Sequence, residues 1–261
     1  MLTLKETVKD INQINGKQLY YSFVAGAHKI FEHQREINRI NVFPVPDSDT
    51  GTNLASTMRS IVDTSMPSKN FKETAVALAD AALVGARGNS GIIFAQFLYG
   101  FSNEIEDKQS VDVNNFSTSV NKAVEYAYQS IQNPVEGTMI TVIKDWAESV
   151  HSLKDKIKDF NALFTDSYQR AKQSLAETTE KLEVLAKHKV VDAGAKGFVV
   201  FLEGIVDFFK NGKIKDLLKS KEIQPRFDDK LENISHEEIT FRFCTEALLS
   251  GQELDRSRIK N

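Results

Sequence analysis

The stretch KQLYYSFVAGAHKIFEHQRE (Lys17–Glu36) sets the reading of this chain. Its apolar residues Leu19, Tyr20, Phe23, Val24, Ala27, Ile30 and Phe31 recur at helical spacings, which gathers them into one stripe on a helix. The same period continues outward. It predicts further helices over Asn53–Thr64, Phe71–Val84, Ser90–Ile105, Val113–Ile131, Thr138–Leu153, Phe160–Lys187 and Ala195–Lys210. In the longest, Leu163, Phe164, Tyr168, Ala171, Leu175, Leu182 and Leu185 hold compatible spacings. Strand candidates are almost absent from the first 210 residues. About eight helices joined by short loops predict an all-α bundle, in which a site is most easily built where several helix ends meet.

The texture changes after Gly212. Residues 213–235, which open with a charged stretch running to QPRFDDK, read as a linker between a helical domain (residues 1–212) and a further segment (236–261). In that segment Ile239, Phe241 and Phe243 alternate with Thr240 and Arg242, as in a half-buried strand. A lone strand cannot bury itself. The expectation is that residues 236–261 are the truncated start of a second, middle domain.

Composition narrows the function classes. The 261 residues are 41% hydrophobic and 26% charged, with a net charge of −3, the balance of an ordinary globular protein. No dense Lys/Arg block offers a phosphate-binding face, so no nucleic-acid partner is expected. The N-terminal MLTLKETVKDINQING carries acids and amides where a signal peptide needs an apolar core. Gly91–Phe101 and Phe198–Phe209 are short and broken by Gln96, Glu203 and Asp207, so no integral membrane association is expected. A single cysteine, Cys244, excludes an internal disulfide framework and fits a reducing compartment. These features predict a cytoplasmic protein.

Four segments carry chemistry. In NVFPVPDSDTGTN (Asn41–Asn53), Pro44 and Pro46 stiffen the approach to Asp47 and Asp49, and a helix follows at once. Mg²⁺ wants oxygen ligands, one or two of them carboxylates. Thr50, Gly51, Thr52 and Asn53 lead into a helix N-terminus, whose N–H groups and dipole favour phosphate. The same residue types also make plain turns and N-caps. GARGNSG (Gly85–Gly91) is a second small-residue turn into an apolar helix, readable as an anion cradle or as a tight helix connection. It is not a Walker loop, since no Gly-Lys-Ser/Thr follows. In EGTM (Glu136–Met139), Thr138 is a candidate cap, and Met139 is either a core residue or a platform for a purine ring. VVDAGAKG (Val190–Gly197) is a fourth glycine-rich turn before a helix. Gathered at one end of a bundle, the four would form a mouth for phosphate and metal. The five histidines show no metal-ligand spacing.

With these residues in view, the chain resembles the nucleotide-binding domain shared by the dihydroxyacetone kinase ADP-binding subunit and the large subunit of bacterial fatty acid kinase. NVFPVPDSDTGTNL, GARGNSGI, EGTMITV and VVDAGAKGF carry the likeness, over roughly residues 10–210. The resemblance implies an eight-helix, barrel-like bundle with ATP or ADP across one end and one or two Mg²⁺ ions against the phosphates. It makes Asp47 and Asp49 metal ligands, with Asn41 a third candidate at a position where the dihydroxyacetone kinase branch has an aspartate. It places Thr50, Gly51, Thr52 and Asn53 around the phosphates. Asn89, Ser90 and Gly91 become the second phosphate turn, Thr138 and Met139 the adenine side, and Asp192 and Gly194 the closing turn. Ser48 and Ala195 stand where the family usually has glycine, and Leu54 where it has methionine. If position 48 needs a positive φ, serine there is strained.

The Asn-Val-Phe-Pro-Val-Pro form and the tail ITFRFCTEALLSG resemble the fatty acid kinase branch. That implies phosphoryl transfer from ATP to a fatty acid presented by a fatty-acid-binding partner, with homodimerisation through downstream domains. A cysteine at the position of Cys244 helps bind a structural metal in that branch, but its histidine partners would lie downstream, so Cys244 is expected to be unpaired. The alternatives are a dihydroxyacetone-kinase-type subunit and a nucleotide-binding module inactive alone because it is truncated.

Overall fold

The computed structural model describes residues 10–211. The expected linker, the strand at Glu238–Phe243 and Cys244 lie outside them. Among the described residues the chain folds as β1 (Gln13–Asn15), α1 (Gly16–Arg39), α2 (Thr50–Thr64), α3 (Phe71–Gly85), α4 (Gly88–Glu104), β2 (Ser110–Asp112), α5 (Val113–Gln129), α6 (Met139–Leu153), α7 (Phe160–Lys181), α8 (Glu183–His188) and α9 (Ala193–Asn211). The fold is all-α, as the helical period predicts. From α1 to α7 each helix packs on its successor, and α9 packs against α1, α6 and α7.

Two features depart from the sequence reading. The helix expected over Phe160–Lys187 breaks at Leu182, which is extended at φ −124° and ψ 117°. The cause is tertiary. A Cβ on Gly137 would lie 2.7 Å from Lys181 Cβ and 3.1 Å from Leu182 Cγ, so the loop before α6 presses on the break. The Thr179 hydroxyl ties the returning chain by donating to the Val190 carbonyl at 2.9 Å. The second departure is a small antiparallel pair, β1 with β2, in which Ile14 faces Val111. Both side chains are buried. Each strand has only three residues, too few for alternation to stand out.

The helix starts divide into two sets. Asn15, Asn70, Asp112 and Asp159 cap α1, α3, α5 and α7 through their side chains, accepting N–H groups of Gln18 (3.1 Å), Glu73 (3.0 Å), Asn115 (2.9 Å) and Ala162 (3.0 Å). Each such cap stabilises its helix by about 1 kcal/mol. Backbone bonds tie these starts together: Gly16 to Lys69 (3.2 Å), Phe71 to Lys108 (3.1 Å) and Phe160 to Ile11 (3.0 Å). That end of the bundle is closed. The helices α2, α4, α6 and α9 start at the other.

Edge-to-face aromatic contacts fill the middle. Trp146 meets Phe198 at 5.6 Å and Phe97 at 6.3 Å, and Phe201 meets Phe94 and Phe23 at 5.0 and 5.1 Å. The indole N–H of Trp146 donates to Ser167 at 3.2 Å, so the buried donor is satisfied.

Candidate functional site

The loop between α1 and α2 is organised around Asn41, which is 4% exposed. Its amide nitrogen donates to the Val45 carbonyl at 3.2 Å and to Asp47 Oδ1 at 2.6 Å. Its amide oxygen accepts the Thr50 hydroxyl. Asp47 and Asp49 sit side by side. Partial burial pushes the Asp47 carboxyl above its ordinary range, and the neighbouring Asp49 charge pushes it the same way. Crowded carboxylates of this kind suit a cation. Among the described residues no three His, Cys, Asp or Glu side chains gather around one point. Two carboxylates without nitrogen or sulfur donors fit Mg²⁺, which takes its remaining oxygens from phosphate and water.

Ser48, between the two carboxylates, has φ 55°. That left-handed conformation costs a non-glycine residue about 1 kcal/mol. Ser48→Gly is therefore expected to stabilise the protein by about 1 kcal/mol, raising its melting temperature by about 2–4 °C. A thermal melt that is unchanged or lower would show that the loop bears no strain at this residue.

Asp49 holds the N-cap position of α2, yet its side chain makes no capping hydrogen bond. The last turns of α1 take over that task. Asn38 Oδ1 accepts the Thr52 N–H at 3.0 Å, and Asn38 and Gln34 donate to the Thr52 hydroxyl at 3.0 and 3.2 Å. A Cβ on Gly51 would lie 2.2 Å from the Gln34 carbonyl, so this glycine permits close approach to α1. Thr50, Gly51 and Thr52, expected around phosphates, thus also fasten α2 to its neighbours. Asn38 and Gln34 escaped the sequence reading because they look like ordinary polar positions of an amphipathic helix.

The other three turns meet α2 here. Gly88 has φ 58°, and a Cβ on it would lie 2.5 Å from Asn53 Nδ2. A Cβ on Gly91 would meet Thr57 Oγ1 at 2.7 Å; one on Gly194 would meet Ser90 Oγ at 2.7 Å and Met139 Cβ at 3.2 Å; one on Gly197 would meet Leu54 at 2.3 Å. Asn89 is exposed and Ser90 half-buried at this mouth. Thr138 stands at the N-cap of α6 but does not cap it, which corrects that expectation. Its hydroxyl donates instead to the Val135 carbonyl at 2.8 Å, while Thr141 accepts the Gly137 N–H at 2.9 Å. Met139 is 1% exposed, a core residue of the first turn and not an open platform.

Capping distinguishes the two ends of the bundle. The N-cap residues of α2, α4 and α6 are Asp49, Arg87 and Thr138, and none closes its helix with a side-chain hydrogen bond. At this end a side-chain cap closes α9: Asp192 accepts the Ala195 N–H at 2.8 Å and also the Met139 N–H of α6. One buried carboxylate thereby clamps two helix starts.

Burial pushes the Asp192 carboxyl up to about 6 against those two donors. The folded state then holds a proton on Asp192 that the unfolded chain, with its carboxyl near 3.8, has already released. A raised acid stabilises the fold at low pH, and that contribution is lost as pH rises from about 4 to about 6. The loss amounts to about 3 kcal/mol. Asp192→Asn cannot ionise, so the stability of wild type minus variant, from urea unfolding at pH 4 and pH 7, is expected to fall by that amount. A difference that stays constant with pH would mean the two N–H donors outweigh burial.

Comparison with known proteins bears on the fold. The sequence model of the DAK2 domain family matches residues 44–207. Protein YloV of Bacillus subtilis (strain 168) is 35% identical over 257 residues, covering 94% of this chain and 46% of YloV. An uncharacterized protein of Staphylococcus epidermidis (strain ATCC 12228) is 34% identical over 245 residues, covering 92% of this chain and 44% of that one. The chain spans less than half the length of these curated relatives. Among solved structures, the dihydroxyacetone kinase of C. freundii in complex with AMP-PNP and Mg²⁺ superposes with a TM-score of 0.55 at 14% identity, over 79% of this chain and 36% of that one. Its native form gives 0.54 at 15% identity, over 79% and 37%. At such identities the likeness is one of fold.

Proposed function

From the premise that this chain belongs to the DAK2 domain family, we propose that it binds Mg²⁺·ATP at the open end of the bundle and serves as the ATP-binding part of a fatty acid kinase. The observation that carries this reading is the contrast in capping. Four helix starts are closed by their own N-cap side chains at one end. At the other, the N-cap residues of α2, α4 and α6 make no such bond, and remote side chains, Asn38 and Asp192, take one N–H each, of Thr52 and Met139, beside two crowded carboxylates. Uncapped helix starts present N–H groups and positive dipole ends to an anion. The AMP-PNP and Mg²⁺ held by the C. freundii kinase support the same choice of ligands.

In this reading Asp47 and Asp49 hold Mg²⁺, which when bound neutralises charge on the β- and γ-phosphates. The starts of α2 and α4 cradle those phosphates, with Asn53, Asn89 and Ser90 at the mouth. An acyl carboxylate, presented by a separate fatty-acid-binding protein, attacks the γ-phosphorus. The bond to the β–γ bridging oxygen breaks, giving acyl phosphate and ADP. The acceptor is already anionic at neutral pH and needs no general base, so positioning and charge neutralisation suffice. The Asn41-Val-Phe-Pro-Val-Pro loop favours this acceptor class. The fold likeness to dihydroxyacetone kinase supports a second reading, a nucleotide-binding subunit for a hydroxyketone kinase.

The test is calorimetric titration with Mg²⁺·ATP, followed by transfer of labelled γ-phosphate to palmitate, with and without a fatty-acid-binding protein, and to dihydroxyacetone. Binding together with partner-dependent acyl phosphate is the expected result. Binding with transfer only to dihydroxyacetone would move the assignment to the second reading. Binding without turnover on either acceptor would leave a nucleotide-binding module, and no binding would overturn all three.

A further inference from the structure

We infer that Asn41 is a positioning residue that sets Asp47 for the metal, and is not itself a ligand. This rests on the reading of Asp47 and Asp49 as Mg²⁺ ligands, and it revises the expectation that Asn41 joins them. The amide oxygen, the atom a cation would take, accepts the Thr50 hydroxyl at the start of α2. The amide nitrogen donates to Asp47 Oδ1 at 2.6 Å and to the Val45 carbonyl at 3.2 Å. One neutral, buried side chain therefore links the three parts of the loop: its proline segment, its first carboxylate and the helix it feeds.

The direction of the bonds matters. Asp47 and Asp49 carry two negative charges side by side, and a carboxylate at position 41 would add a third against Asp47 Oδ1 with no proton between them. The amide instead supplies a donor. It fixes one oxygen of Asp47 while the residue stays exposed beside Asp49, so the loop is ordered before any cation arrives. A pre-ordered ligand loses less conformational freedom on binding.

Two variants of the full chain test this. Asn41→Asp keeps the shape but replaces the donor with a charge, and in EDTA it is expected to lower the melting temperature by about 5 °C. The exchange Asn41→Asp with Asp47→Asn returns a donor–acceptor pair with the roles reversed. It is expected to recover at least half of that loss in EDTA, because the bond to Asp47 returns although the one to Val45 does not. By calorimetry the exchanged protein should still bind Mg²⁺·ATP at least about tenfold more weakly than wild type, since its charge now sits on a buried, engaged group.

Three results would overturn the inference. These are an Asn41→Asp protein that melts like wild type in EDTA, an exchange that recovers none of the loss, and an exchanged protein that binds Mg²⁺·ATP as wild type does. The last would make position 41 a ligand. If wild type itself fails to bind Mg²⁺·ATP, the proposed function falls, while the two melts in EDTA still decide whether Asn41 holds Asp47.

Discussion

Asp49→Ala is expected to weaken Mg²⁺·ATP binding by about 100-fold or more, roughly 2.7 kcal/mol, while the helical fold survives. Two structural facts separate these outcomes. Asp49 occupies the N-cap of α2 without capping it, and Asn38 takes the Thr52 N–H in its place. Removing the carboxylate therefore strips no first-turn N–H of a partner. What the fold loses is the interaction of a negative charge with the helix dipole, about 0.3–1 kcal/mol, and relief of the repulsion with Asp47 offsets it. In the proposed function, by contrast, Asp49 supplies one of only two protein ligands to the cation. Calorimetry with Mg²⁺·ATP and circular dichroism melts on the same variant check both halves. Wild-type affinity in the variant would remove Asp49 from the site. A collapsed melt would make it a structural residue after all.

Gly204→Ala is expected to destabilise the protein by about 3 kcal/mol, against the usual sign for such a change. Alanine in a helix interior ordinarily gains about 1 kcal/mol over glycine. Here α9 crosses α1 with backbone against backbone. A Cβ on Gly204 would lie 2.5 Å from the Ala25 carbonyl oxygen and 2.6 Å from Gly26 Cα. Gly26 is equally crowded from its own side, since a Cβ there would meet the Phe201 ring at 2.4 Å. Neither helix can yield locally, because both are anchored in the aromatic core, so the axes must separate. Separation would also disturb the mouth. The last turns of α1 hold the start of α2 through Asn38 and Gln34, and α9 begins at the Asp192 clamp. Urea unfolding should show the loss, and the melting temperature should fall by about 6–12 °C. Gly197→Ala makes the comparison sharp: its Cβ would meet the Leu54 Cδ1 methyl at 2.3 Å, the far end of a side chain and not backbone, so a smaller loss is expected. Equal losses at the two sites would refute the idea of a rigid crossing.

Sequence alone determined that this chain is helical and which segments are candidates for its chemistry. Both are local properties. The stripe from Leu19 to Phe31 can be buried by a helix and not by a strand, and Asp47 and Asp49 are bound to one loop by covalent spacing. The left-handed backbone at Ser48 was anticipated through the family resemblance, in which glycine usually stands at that position, and not from the residues alone. Tertiary structure decided what each polar residue does with its hydrogen bonds. Nothing near Asn38 announces that it will close a helix 14 residues away, or near Asp192 that it will reach the first turn of α6. The break at Leu182 is equally remote in origin, since its causes are Gly137 and Val190. Met139 and Thr138 belong with these. A methionine and a threonine at a helix start are compatible with a purine platform and a cap, and packing placed one in the core and turned the other back to Val135. The physical reason is the same in each case. Hydrophobic periodicity reports the one face a helix must bury, whereas a buried polar group takes whichever partner the assembled bundle brings within about 3 Å.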